Sequence, residues 1–131
     1  MSDVNDICKM NEENLISAIK TCYKNPRYSV LVCTTHIVTP ITKSIIDYIK
    51  QLSRYDKECY GVEDFIKARH DAIEFNNGSI MKLYNIINTP RHCYAHKILI
   101  DGIVDSDIIE SVLTPYLRNY NYNGEEYTDE F

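Results

Sequence analysis

The tightest constraint on the fold lies in Ile73-Glu74-Phe75-Asn76-Asn77-Gly78-Ser79-Ile80. Asn77-Gly78 is the strongest short-range hairpin signal in the chain, because both residue types tolerate positive φ. A strict two-residue turn would set Ile73 opposite Lys82. A three-residue loop with a bulge sets it opposite Met81 and keeps apolar side chains together. Downstream, Lys97-Ile98-Leu99-Ile100-Asp101 reads as a buried apolar strand that ends in a carboxylate. A hairpin and a separate buried strand favour a sheet over an all-helical bundle.

The helical patterns set what surrounds that sheet. Asn11 is a candidate cap for a helix whose first turn carries Glu12 and Glu13. Leu15, Ile16, Ile19, Cys22 and Tyr23 follow helical spacing up to Asn25-Pro26. Residues 28–34 are apolar and β-branched without helical period, which predicts a central buried strand. Thr39-Pro40 predicts a second helix start, threonine as cap and proline at the first helical position. Its apolar stripe is Ile41, Ile45, Ile46, Ile49 and Leu52. Residues 62–70 read as a weaker helix. A last helix opens at Asp105-Ser106, with Ile108, Ile109, Val112 and Leu113 inward and Pro115 ending or kinking it. Residues 1–10 read as a polar lead-in. The predicted order is α-β-α-(α)-β-β-β-α, an α/β domain over 1–118 with a small mixed sheet flanked by helices. Residues 119–131 read as an acidic, flexible tail.

Charge narrows the partners. The formal net charge is −5, and Glu125, Glu126, Asp129 and Glu130 supply four of the negative charges within the last seven residues. Without them the remainder is close to neutral, and no run of Lys or Arg marks a nucleic-acid footprint. Five cysteines, odd in number and unevenly spaced, with Cys22 and Cys33 on apolar faces, read as reduced thiols in a cytoplasmic protein. The opening residues show no signal peptide, and no apolar run approaches a membrane span.

Several groupings could carry chemistry. An aspartate at the end of an apolar strand, here Asp101, stands where a mononucleotide-binding α/β protein holds Mg²⁺, although any strand can end in Asp as a turn former. Glu74, Asp101, Asp105 and Asp107 are the carboxylates a Mg²⁺-dependent nuclease or phosphohydrolase would use. Asp105 and Asp107 are better explained as acids at a helix start. Cys33, His36, His92 and His96 give Cys-x₂-His and His-x₃-His pairs suited to Zn²⁺, a pattern that four histidines and five cysteines also produce by chance. Cys93 between His92 and His96 invites a thiol nucleophile, but sequence neighbours rarely share a dyad's geometry. The tail offers Tyr127 and Phe131 as aromatic anchors for a basic groove on a partner, beside the plainer reading of a solvated end.

The segment 73–80, the Arg91-bearing stretch Arg91-His92-Cys93-Tyr94-Ala95-His96, the strand Ile98-Leu99-Ile100-Asp101 and the helix from Asp107 resemble, in that order, the ATPase domain of phage terminase large subunits, the motor that packages viral DNA. The likeness runs over roughly Leu15 to Leu117, with its specific motifs in about 73–101. It implies a P-loop-NTPase-like sandwich, with Asp101 as the Walker B carboxylate and Arg91 beside the site. The chain departs from the family at three points. No Gly-x-x-x-x-Gly-Lys-[Ser/Thr] loop is present, Gly102 stands where the catalytic glutamate should follow, and no nuclease domain follows residue 118. A motor without phosphate cradle, lysine and water-orienting acid loses the positioning that makes phosphoryl transfer fast.

The expectation is therefore a truncated P-loop-NTPase-like sandwich without catalysis or cofactor. It would be a terminase-like viral protein of the host cytoplasm, acting through protein binding and linked to DNA packaging. A protein partner or a second copy would join through an open sheet edge. The alternatives are a small viral regulator or host-defence antagonist on the same scaffold, and a Mg²⁺-dependent enzyme using Asp101 and Glu74.

Overall fold

Alternation along one strand explains the architecture. In β2 (Ser29–Thr34), Val30 and Val32 point to one face of the sheet and Leu31 and Cys33 to the other, and all four are buried. A strand covered on both faces must be apolar throughout, which is why its sequence shows no polar alternation. The computed structural model describes residues 7–88 and 94–117, and these build one six-stranded mixed sheet.

The strands are β1 (Ile7–Lys9), β2, β3 (Ile66–Ala68), β4 (Ala72–Phe75), β5 (Ile80–Asn85) and β6 (Lys97–Asp101), in spatial order β1-β6-β2-β5-β4-β3. β1, β6, β2 and β5 are parallel, while β4 is antiparallel to both β5 and β3. Ile73 lies opposite Met81, the register of the longer, bulged hairpin. Only Gly78 of the Asn-Gly pair takes positive φ, at 88°. The expected α/β class and the interior position of β2 both hold.

Two long helices cover one face. α1 (Glu12–Lys24) starts at Asn11, whose side chain accepts from Asn14 N at 2.8 Å. It sinks Ala18, Ile19 and Cys22 against Val30, Val32, Met81, Leu83 and Leu99. α2 (Val38–Tyr55) adds Ile45, Ile49 and Leu52 to the same core. At about 1.5–3 kcal/mol for each fully buried aliphatic side chain, this cluster dominates stability. The opposite face is thinner. α3 (Ser106–Ile108) continues through a wide π-type turn (Ile109–Leu113) and a 3-10 turn (Thr114–Tyr116). Leu113, Tyr116 and Leu117 seal Leu31, Cys33, Ile98 and Ile100.

Four expectations need correction. Residues 7–9 are not lead-in but the edge strand β1, placed by pairing with β6 that no local pattern announces. The segment 62–70 is a 3-10 turn (Val62–Phe65) followed by β3, because pairing with β4 overrides a weak helical period. α2 begins at Val38 with Ile37 in the cap position and no side-chain cap, so Thr39 and Pro40 fall inside its first turn. In the last segment Leu113 is buried but Val112 is 37% exposed, since the wide turn rotates the stripe. The predicted tail, with Tyr127 and Phe131, lies outside the described residues.

Candidate functional site

Four parallel strands deliver their carboxyl ends to one rim of the sheet, the end where open α/β sheets place ligands. There β6 ends at Asp101 and β2 at Thr34, and the two face each other in register. Thr34 Oγ1 donates to Asp101 Oδ2 at 2.7 Å and accepts from His36 N at 2.9 Å. Thr34 is fully buried, so its hydroxyl spends its donor and one acceptor on bracing the rim. Thr35 N donates to Asp101 O at 3.1 Å. Asn85, ending β5, donates from Nδ2 to His36 O at 3.0 Å and accepts from Ile87 N at Oδ1.

Gly102 completes the rim. Its φ is 110°, and a Cβ added there would run into Thr35 Oγ1. Glycine is required at this position by close approach, in a conformation L side chains rarely adopt. An open depression of about 510 Å³ lies over the ends of β2 and β5, lined by Thr35, His36, Ile37, Pro40, Ile41 and Asn85.

A phosphate cradle has no room to form between β2 and α2. Only Thr35, His36 and Ile37 separate them, and none is glycine. Wrapping a polyphosphate takes a longer, glycine-rich run of backbone N–H groups. The turn between β1 and α1, on the other side of β6, is shorter still.

The structure separates the residues of the two-carboxylate reading. Glu74 on β4 faces Ile80 at the start of β5, whereas Asp101 is aligned through Thr34 with Asn85 at the end of β5. Two strands lie between β4 and β6, so the carboxylates are about 14 Å apart laterally and about 17 Å along the strands. Two metal ions bridge only about 4 Å. Glu74 instead takes Arg69 Nε at 2.7 Å in a surface ion pair.

Of the candidate zinc ligands, the three that are described are likewise dispersed. Cys33 is buried in the second apolar cluster, and His36 is exposed on the rim. His96 sits at the opposite end of β2, with its backbone N bonded to Ser29 O, its Nδ1 accepting from Ser29 N at 2.9 Å and its ring stacked on Tyr28. Among the described residues no three His, Cys, Asp or Glu side chains gather as a metal site. Arg91, His92 and Cys93 lie outside the described residues.

The Asn-Gly-Ser motif does something sequence reasoning missed. Asn77 Nδ2 donates to Cys22 O at 2.8 Å, Asn25 O at 3.2 Å and Tyr23 O at 3.3 Å, taking up carbonyls at the end of α1. Its Oδ1 accepts from Ser79 N at 3.0 Å. Ser79 Oγ donates to Asn25 O at 2.5 Å and accepts from Tyr28 N at 2.9 Å. The hairpin tip is a clasp for the α1–β2 joint, at the end of the sheet away from Asp101. Helix carbonyls without an intrahelical partner are the signal that could have found it.

A second missed feature is the exposure of Ile37, Ile87 and Ile103 at 75%, 84% and 95%. They follow β2, β5 and β6, three neighbouring strands, and so share the rim. Each falls outside the helical stripes, which is the sequence sign that it is not core. Among the described residues no helix is long and apolar enough to cross a membrane. Compared with protein families, curated proteins and solved structures, the chain matches none.

Proposed function

We infer that this chain is a non-catalytic, terminase-like viral protein that works by binding another protein at the strand-end rim. The observation that carries the binding reading is the row of exposed isoleucines, Ile37, Ile87 and Ile103, at the ends of three adjacent strands. Isolated exposed apolar residues are ordinary, whereas three large ones after neighbouring strands support a binding role for this end of the sheet. The truncated sandwich and the packaging setting come from the resemblance, and the reading takes no cofactor and places the protein in the host cytoplasm.

The rim suits this role better than a sheet edge. Among the described residues β1 and β3, the two edge strands, are three residues each, and Lys67 stands exposed on β3. Short edges carrying charge are how sheets resist strand addition. The strand-end carboxylate supports a binding role as well, since Asp101 braces Thr34 and Gly102 beside it has no side chain to orient a water.

Two measurements test the reading. Calorimetric titration with ATP–Mg²⁺ should give no heat, and Asp101→Ala should retain partner binding. Nucleotide turnover that disappears in Asp101→Ala would refute it.

A further inference from the structure

The pair Asn77-Gly78 carries a chemical liability as well as a turn. Glycine has no Cβ to shield the neighbouring carboxamide, so in an open chain the Gly78 nitrogen can reach Asn77 Cγ. We propose that Asn77-Gly78 is a fold-gated deamidation site. The closed clasp keeps it inert; once the clasp opens, Asn77 converts to aspartate or isoaspartate, and the clasp cannot close again.

The reaction needs only water. Gly78 N gives up its proton and attacks Asn77 Cγ. A C–N bond forms, the Cγ–Nδ2 bond breaks, and Nδ2 departs as ammonia carrying that proton. Water then opens the succinimide at one or the other carbonyl. Solvent is not what the fold withholds, because Gly78 is exposed and Asn77 only half-buried. Hydrogen bonds hold the reacting atoms instead. Gly78 N donates to Phe75 O at 3.1 Å, and a neutral carbonyl is no base to take its proton. Asn77 Oδ1 accepts from Ser79 N, while Nδ2 donates to the carbonyls of Cys22, Tyr23 and Asn25. Those three oxygens only accept, so none supplies the proton that departing ammonia takes up. Arg27 packs beside Gly78, and its N donates to Asn77 O at 3.3 Å, which holds the peptide between the two reacting residues.

The product cannot rejoin. Aspartate has no donor and meets three carbonyls at the end of α1, where negative charge is disfavoured. Isoaspartate adds a methylene to the main chain in the turn that sets Ile73 opposite Met81. One opening is thereby made permanent, and the clasp limits the working life of the molecule.

Asn123-Gly124, the chain's other Asn-Gly pair, lies outside the described residues and serves as the chemical reference. Full-length protein is held in mildly alkaline buffer with and without denaturing urea, and conversion at each pair is followed by peptide mass. In urea Asn77 should convert as readily as Asn123. In buffer Asn77 should convert at least about tenfold more slowly than in urea. Ser79→Ala, which removes the bonds to Asn25 O and Tyr28 N, should speed native conversion of Asn77 about threefold or more. If that variant does not fold, wild type in urea just below its unfolding transition replaces it and should show the same acceleration. Protein converted at Asn77 alone, isolated by ion exchange, should refold with a lower urea midpoint than unconverted protein carried through the same steps. An Asn77 that lags Asn123 in urea, equal Asn77 rates in buffer and urea, no acceleration, or an unchanged midpoint overturns the inference.

Discussion

Asn77→Ala should be among the most damaging polar substitutions outside the core. The amide shares two N–H protons among three carbonyls at the end of α1, and its oxygen takes the Ser79 N–H. Truncation leaves those half-buried groups without their partner. At about 1 kcal/mol for each neutral hydrogen bond, and more where a buried group is left unmade, the cost is about 2–3 kcal/mol. For a chain of this size that lowers Tm by about 8 °C. Asn77→Asp sharpens the test. It preserves size and the acceptor for Ser79 N, but removes both donors and sets a carboxylate against carbonyls at a helix C-terminus, where negative charge is disfavoured. It should be at least as destabilising as alanine at neutral pH. Urea denaturation of the three proteins measures this directly. A loss below about 0.5 kcal/mol for Asn77→Ala, or an aspartate variant as stable as wild type, would refute the clasp.

Gly102→Ala meets both a left-handed backbone and the Thr35 side chain, so it should cost about 3 kcal/mol by thermal melting. Adding Thr35→Ala should recover only the contact share of that loss. Asp101→Ala should lower stability by about 1–2 kcal/mol through the lost Thr34 bond, whereas Asp101→Asn, which keeps an acceptor, should lose less than half as much. Tyr48 donates to Glu12 Oε2 at 2.9 Å. Burial first, then that bond, push its phenol up to about 12. Its folded value exceeds the unfolded value of about 10, so its contribution is complete below pH ~10 and fades as pH rises through 12. Urea midpoints at pH 8 and 11.5 should fall further for wild type than for Tyr48→Phe, and equal falls would refute the assignment.

The elements that local chemistry specifies were readable. Asn11 caps α1 because its side chain meets Asn14 N, and the Ile73–Met81 register follows from the turn and the apolar pattern. Elements decided by distant partners were not. β1 exists through its pairing with β6, and β3 exists because β4 stands beside residues that lean weakly toward helix. At the candidate site, Asp101 was legible as a strand-end carboxylate. Its bond to Thr34 was hidden, because 67 residues separate the two in sequence. The same holds for Asn77, whose partners at Cys22, Tyr23 and Asn25 lie more than fifty positions back. The Asn-Gly-Ser motif serves here as joinery.

The strand order β1-β6-β2 has a consequence for how the chain is born. β1 is made first, yet the strand it hydrogen-bonds to arrives nearly ninety residues later. The layer that dries the sheet's second face, Leu113 to Leu117, emerges later still. During synthesis on the ribosome, the segment up to β5 can therefore form α1, α2 and the β3–β4–β5 meander but cannot complete the sheet. Closure waits until β6 and the segment after it are available, and contacts that distant in sequence form slowly relative to local ones. Until then the wet face of β2 is a natural substrate for chaperones, which makes the nascent chain more vulnerable to aggregation than the finished molecule.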